Sequence, residues 1–434
     1  MTDRLPASLR TYRLLSAAAT PLVPLLLAQR RKHGKEHRER FCERRGEASS
    51  ERPPGPLVWL HSASVGELTS VLPLIERIRA REVDVLVTSG TVSSGDIAEQ
   101  RLPPGVIHQF VPLDVPRFVR RFLDYWQPNL ALFVESDLWP NMVIESSRRD
   151  VPMVLVNGRL SENSFRRWNR LPSAIVALLQ RFDLCLARTA ADGRRLADLG
   201  APNVVTTGNL KLDVPAPPAD AVRLDELQMA TGRRPLIAAA STHPGEDELM
   251  IAAHRRLKAN FPGLLTIIAP RHPHRGRTIA ELAAAAGLHV ALRSAGEMPK
   301  RSTDIYIADT LGELGLIYRV APVVFIGGSL VPHGGQNPIE AAKLGAAIVH
   351  GPHVANFAEI YGALGAARGA EAVGDGERLT AALGALLAQP QARERVAAAA
   401  RRTVEGLGGA LERTLHALDP YLMQLQLRQQ NEHA

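Results

Sequence analysis

The residues able to do chemistry stand just behind short hydrophobic runs. In "LVWLHSASVGELTS", Leu57 to Ser70, one carboxylate, Glu67, falls in the first turn of an expected helix, after the small residues Ser62, Ala63, Ser64 and Gly66. An acid at that point can act as general base toward a hydroxyl, or it can simply cap the helix. No GxGxxG, GKS or GKT accompanies this strand, turn and helix, so phosphate is not what it is built to cradle. A second pair of acids, Glu135 and Asp137 in "LFVESDLWPNM", closes another run. Two apart on an extended chain, they point to one side, and Asp137 could also cap the helix that begins near Trp139. Cations hold the matching places elsewhere. Arg159 follows "MVLVNG", Lys211 lies in "TTGNLKLD", and Arg271, His272, His274 and Arg275 lie in "IIAPRHPHRGR".

The stretch from Val323 to Gly351 is the richest. Its strand ends in Gly327-Gly328-Ser329, a second pair Gly334-Gly335 follows, and a helix is expected at "QNPIEAAKLG", with Asn337 as cap and Pro338 at the first helical position. Bare glycines before a capped helix start offer free backbone N–H groups and a positive dipole end to a phosphate. Glu340 could accept hydrogen bonds from a ribose diol, or serve only as a capping acid. His272 and His274 have no third ligand at metal spacing, and no DxD occurs anywhere in the chain. Neither a metal nor any other cofactor is expected.

These residues need strands to present them. The runs "PLVWL", "DVLVTSG", "VIHQFVPLD", "LALFVES", "MVLVNGR", "LCLART" and "VVTTGN" are rich in leucine or β-branched residues, the pattern of parallel strands covered on both faces. "KLDVPAPPADAVRLDE", with three prolines, interrupts the rhythm as a linker does. A second series follows in "PLIAAAST", "LLTIIAPR", "DIYIADT", "APVVFIGGS" and "AAIVHG". The expected fold is α/β, with two Rossmann-like, doubly wound domains facing a cleft at their strand C-termini, where ligands bind as a matter of topology. The expected boundaries are a basic N-terminal segment over 1–50, a first domain over 51–212, a linker over 213–228, and a second domain with alanine-rich closing helices over 229–434.

A chain of 434 residues is too long for one ordinary core, and its two cysteines, Cys42 and Cys185, lack CxxC spacing. A disulfide framework is therefore not expected, and a reducing cytoplasm fits. The net charge of +8 is concentrated early: between Arg30 and Arg45 stand eight Lys or Arg against three Glu. Just before them runs "LLSAAATPLVPLLLA", Leu14 to Ala28, uncharged and broken by Pro21 and Pro24. It is shorter than the ~20 residues of a spanning helix. An apolar segment followed by a basic cluster predicts an anchor lying on an anionic membrane surface, against the alternatives of an ordinary packed helix or a signal peptide. The heaviest charge follows the apolar run, the wrong side for secretion.

In order along the chain, "HSASVGELTS", "ESDLWPN", "NGRLSENSFRRW", "GNLKLD", "STHPGEDE", "APRHPHR", "ADTLGELGLIY" and "IGGSLVPHGGQNPIEAA" resemble the motifs of one family, the transferases that attach 3-deoxy-D-manno-octulosonic acid (Kdo) to the lipid A precursor. The resemblance implies a GT-B arrangement, CMP-Kdo as donor, lipid IVA as acceptor, inversion without a metal, and work at the cytoplasmic side of the inner membrane. By motif it makes Glu67 the catalytic base, with Asp137 and Lys211 stabilising the transition state. Pro270 and Arg271, Leu311, Gly312 and Glu313, and Asn337, Pro338, Ile339 and Glu340 would hold CMP. One motif departs: the family usually has Glu-Thr-Glu before Leu-Trp-Pro, where this chain has Glu135-Ser136-Asp137. No nucleic-acid partner is implied. The competing readings are another nucleotide-sugar enzyme, such as a glucosaminyl transferase or a UDP-sugar epimerase, and a non-catalytic membrane-surface protein on the same fold.

Overall fold

The computed structural model describes residues 5–136 and 138–433. The chain divides into two compact units, Met1–Val214 with Gly408–Ala434, and Pro215–Leu407.

The first unit holds β1 (Leu57–Ser62), β2 (Asp84–Ser89), β3 (Ile107–Phe110), β4 (Leu130–Val134), β5 (Met153–Gly158), β6 (Leu184–Ala187) and β7 (Val204–Thr206). All pair in parallel, in the order β3-β2-β1-β4-β5-β6-β7. Period-two alternation shows why β1 is apolar at successive positions. Leu57 and Trp59 enter one buried cluster, with Phe122, Trp126 and Phe133; Val58 and Leu60 enter another, with Leu68, Val71 and Leu132.

The second unit holds β8 (Leu236–Thr242), β9 (Leu265–Pro270), β10 (Val290–Leu292), β11 (Ile305–Ile307), β12 (Val323–Ile326), β13 (Ala347–His350) and β14 (Ala370–Ala372), again all parallel, in the order β10-β11-β9-β8-β12-β13-β14. Eleven of the fourteen strands lie within the runs expected from sequence, and β1 extends its run "PLVWL" by His61 and Ser62. The three-residue edge strands β10 (VAL) and β14 (AEA) lie in none of them, because so short a segment leaves no run that stands out from its surroundings.

Two boundaries need correction. The expected linker over 213–228 is irregular only in part, since a helix capped by Asp220 spans Ala221–Thr231. The closing helices do not all belong to the second domain either. The last one, Ala410–His433, buries Leu415, Leu418, Leu422 and Leu425 beside Val58, Leu60 and Leu68 of the first unit. Asp213 anchors its start by accepting from the Gly409 and Leu411 backbone N–H groups at 2.6 Å each. Spacings of three and four place those leucines on one helical face, and that face fits the first sheet.

The N-terminal segment is likewise built into the first unit. Leu5 and Leu9 join the core, Val23 and Leu27 pack against Val115 and Phe118, and Arg13 pairs with the nearly buried Glu145 at 2.5 Å. The helices Ala7–Ala18 and Val23–Lys32 are bent around a short 3-10 turn, Thr20–Leu22. Among the described residues no single helix is long and apolar enough to cross a membrane; the bent pair reaches that length and apolarity only when its two arms are taken together.

Candidate active site

In the first unit the strand order reverses between β1 and β4, the crevice where a doubly wound sheet receives ligands. Glu67 stands there, in the first turn of the helix Val65–Arg79 that follows β1, and it is partly exposed. Its carboxylate folds back on its own turn: Oε2 accepts from the Ala63 N–H at 2.7 Å and Oε1 accepts from the Ser64 hydroxyl at 2.9 Å. The capping role weighed from sequence is therefore present in the geometry. It also fixes the direction in which the acid points.

Beyond Val134, the end of β4, Glu135 adopts the left-handed backbone with φ 62°, and at the end of β5 Asn157 does so at φ 54°. Asn tolerates this region, whereas for Glu it costs about 1–2 kcal/mol, a strain common at functional sites. Glu135 Oε1 accepts from Lys211 Nζ at 2.7 Å, in an ion pair that is mostly shielded from water. Lys211 is thus an oriented, partnered cation rather than an isolated one. Asp137 lies outside the described residues. Asn157 links the two segments, its Oδ1 accepting from the Leu210 N–H at 3.1 Å.

In the second unit the reversal falls between β8 and β12. The expected CMP residues line one edge: Pro270 and Arg271 end β9, Leu311 to Glu313 follow β11, and Asn337 to Glu340 follow β12. The Arg271 guanidinium is exposed and makes no hydrogen bond or ion pair among the described residues. Leu311 is 79% exposed and Gly312 turns the chain at φ 81°. Arg293 grips Glu313 through Nη2 at 2.8 Å and Nε at 3.1 Å, and Thr310 donates to it as well. Burial pushes the Glu313 carboxyl up, but the hydrogen bonds from Arg293 and Thr310 outweigh it and hold the group below its ordinary value.

Three expectations about this edge are corrected. The N–H groups of the first glycine pair are not free for phosphate: Gly327 donates to Ala240 O, and Gly328, Ser329 and Leu330 all donate to the buried carboxylate of Glu246 at 2.7–3.0 Å. His243 N–H donates to the same carboxylate at 2.9 Å. A Cβ at Gly327 would lie 2.5 Å from Ser241 O, so only glycine fits where β12 leaves the sheet. Second, the helix after Asn337 runs only over Ile339–Lys343, with Pro338 just before it; Asn337 Oδ1 accepts from the Ile339 N–H at 3.0 Å. Third, Arg275 is not available to a ligand, because its guanidinium pairs with buried Asp247 and donates to Thr242 O at 3.2 Å.

Glu246, Asp247 and Arg293 were not singled out from sequence. Glu246 and Asp247 lie in the quoted "STHPGEDE", but acids opening a helix look like caps. Among the described residues no group of three His, Cys, Asp or Glu is placed to hold a metal ion.

Residues 36–214 match the family model described as 3-deoxy-D-manno-octulosonic-acid transferase (kdotransferase). The 3-deoxy-D-manno-octulosonic acid transferase of Haemophilus influenzae is 32% identical over 418 residues, covering 95% of this chain and 98% of that protein. That of Bordetella pertussis is 36% identical over 430 residues, covering 95% and 99%. Among solved structures, the UDP-GlcNAc 2-epimerase of Neisseria meningitidis bound to UDP-GlcNAc covers 83% of this chain and 99% of its own, with a TM-score of 0.58. At 12% identity that likeness concerns the fold alone. The transferases align end to end at far higher identity, and by that measure this chain belongs to the 3-deoxy-D-manno-octulosonic acid transferase family of glycosyltransferases.

Proposed function

We propose that this protein moves Kdo from CMP-Kdo to the 6′-hydroxyl of lipid IVA, with inversion and without a metal, in lipopolysaccharide synthesis. The observation that carries the reading is Glu67, held by two local donors at the switch point of the first sheet and still partly exposed. Glu67 removes the acceptor proton, the freed oxygen attacks the anomeric carbon of Kdo, and the bond to the CMP phosphate breaks. Lys211, oriented by Glu135, and Asp137 stabilise the charge that develops. The second unit holds CMP through Pro270 and Arg271, the loop Leu311-Gly312-Glu313, and Asn337 to Glu340. Mass spectrometry of lipid IVA incubated with the protein, CMP-Kdo and EDTA should show added Kdo with release of CMP. No added mass, or a strict need for Mg²⁺, would sink the reading.

We also infer that the N-terminus docks on an anionic membrane surface. Leu14, Leu15, Leu22, Leu25 and Leu26 project from the bent helix pair, Leu14 and Leu25 being more than 70% exposed. The basic cluster is smaller than its formal charge suggests. Arg30 and Arg44 pair with Glu36, Arg40 with Glu43 and Arg45 with Glu47, which leaves Arg31, Lys32, Lys35 and Arg38 exposed. Each exposed cation near an anionic surface contributes ~1 kcal/mol, and salt screens that share but not the apolar one. Deleting residues 1–28 would strip Leu5, Leu9, Val23 and Leu27 from the packing, so substitution is the cleaner probe. Replacing the five exposed leucines with Gln should release the protein from anionic vesicles at high salt, while transfer to detergent-dispersed acceptor stays unchanged. Equal vesicle binding across salt would make these leucines ordinary surface residues.

A further inference from the structure

Four histidines gather where β8, β9 and the glycine loop after β12 converge. His243, only 8% exposed, stacks on His333 with ring centroids 4.1 Å apart and planes 20° apart. His272 meets His243 edge-on at 6.1 Å and stacks on His274 at 5.7 Å. The Gln336 amide nitrogen lies 3.0 Å from His243 Nε2, so a neutral His243 ring accepts there. The charged neighbours are few. Arg271 faces both His243 and His272, Arg275 faces His272, and Glu246 faces His243 with its carboxylate already spent on four backbone N–H groups.

Rings this close cannot all carry charge. Burial, followed by the proximity of His333, holds His243 below the ordinary histidine value, and burial followed by Arg271 does the same for His272. His243 and His272 are thus biased toward the neutral form, beside an exposed guanidinium at the C-terminal edge of the sheet. An anion arriving there favours the protonated form of a ring it touches.

We propose that His243, His272 and His333 form an anion clamp that takes up a proton when the nucleotide phosphate docks beside Arg271. The proposal rests on the nucleotide-binding reading of this unit. It matches the charge change of the reaction. In the donor, the phosphate is a diester with one negative charge. When its bond to the sugar breaks, the electron pair stays on the phosphate oxygen and the leaving monoester acquires a second charge. The acceptor proton has gone to the base, and a proton from solvent, taken up by the clamp, meets the new charge. Because binding raises the basicity of the rings, the gain is present at low pH and is lost as pH rises through the value of the bound cluster.

The test is calorimetric titration of the full-length protein with CMP between pH 6 and 8, in two buffers of different ionisation heat. Where binding takes up one full proton, affinity should fall about tenfold for each unit by which the pH rises. Cytidine, which lacks the phosphate, should bind with no such slope. The phosphate of CMP titrates equally for every protein compared, so differences between proteins report the clamp. In the His272→Gln/His333→Gln protein, which alters two exposed rings, the slope should fall by at least half with cytidine affinity retained. Replacing His243 as well should leave only the slope due to CMP itself. A natural protein with no proton uptake, or variants that keep the full slope, would overturn the clamp while leaving nucleotide binding intact. Failure of CMP to bind at any pH would overturn both.

Discussion

A Glu67→Gln protein should transfer Kdo ~10²–10⁴-fold more slowly, the usual loss when a general base is removed, and should bind CMP as tightly as before. Gln is the informative choice because of what the acid already does in the fold. Its carboxylate accepts from the Ala63 N–H and the Ser64 hydroxyl, and a glutamine oxygen at the same helix position can keep part of that capping. What Gln cannot do is take a proton. Glu67→Ala would mix the two roles, since losing a cap costs about 0.5–2 kcal/mol of stability by itself. Initial rates, CMP affinity and a thermal melt, measured together on Glu67→Gln, separate them. Turnover near that of the natural protein with a normal melt would leave Glu67 as a helix cap and remove the base from the mechanism.

The second large effect is expected at a residue with no assigned part in the chemistry. Glu246 is fully buried, and its two oxygens accept from four backbone N–H groups, three of them on the loop that leaves β12. Glu246→Ala would strand those donors. A buried polar group left unsatisfied costs about 1–3 kcal/mol, so even with partial relaxation the second unit should lose roughly 3–5 kcal/mol. CMP affinity should fall on the order of a hundredfold, a figure that corresponds to about 2.7 kcal/mol, because the same loop leads into Gln336 and Asn337. Urea unfolding and CMP titration of this variant check both parts. Unchanged stability and affinity would mean that the bonds from Gly327 to Ala240 and from Gln336 to Gly327 hold the loop unaided.

The chain by itself determined the strands and the sheet type. A run such as "LVWL" is apolar at every position, which a sheet with one wet face would not require, and short-range pattern suffices to show it. It also determined which residues stand at strand ends, so Glu67, Lys211, Arg271 and Glu340 were legible by position. Three-residue edge strands such as β14, with two exposed residues, left no such trace.

Only the tertiary structure decided how those residues are used. Arg271 and Arg275 are four positions apart and chemically alike, yet one guanidinium is open to solvent and the other is bound to Asp247, because partner choice depends on atoms brought together across the sheet. Glu67 and Glu246 both open helices behind a strand. The first holds its own turn, and the second holds a loop more than eighty residues away. The spacing of Leu415, Leu418, Leu422 and Leu425 declared a buried face, but not which sheet would bury it. Local pattern is set by the backbone period of a few residues. Partnership is set by where the fold returns the chain, and no local window contains that distance.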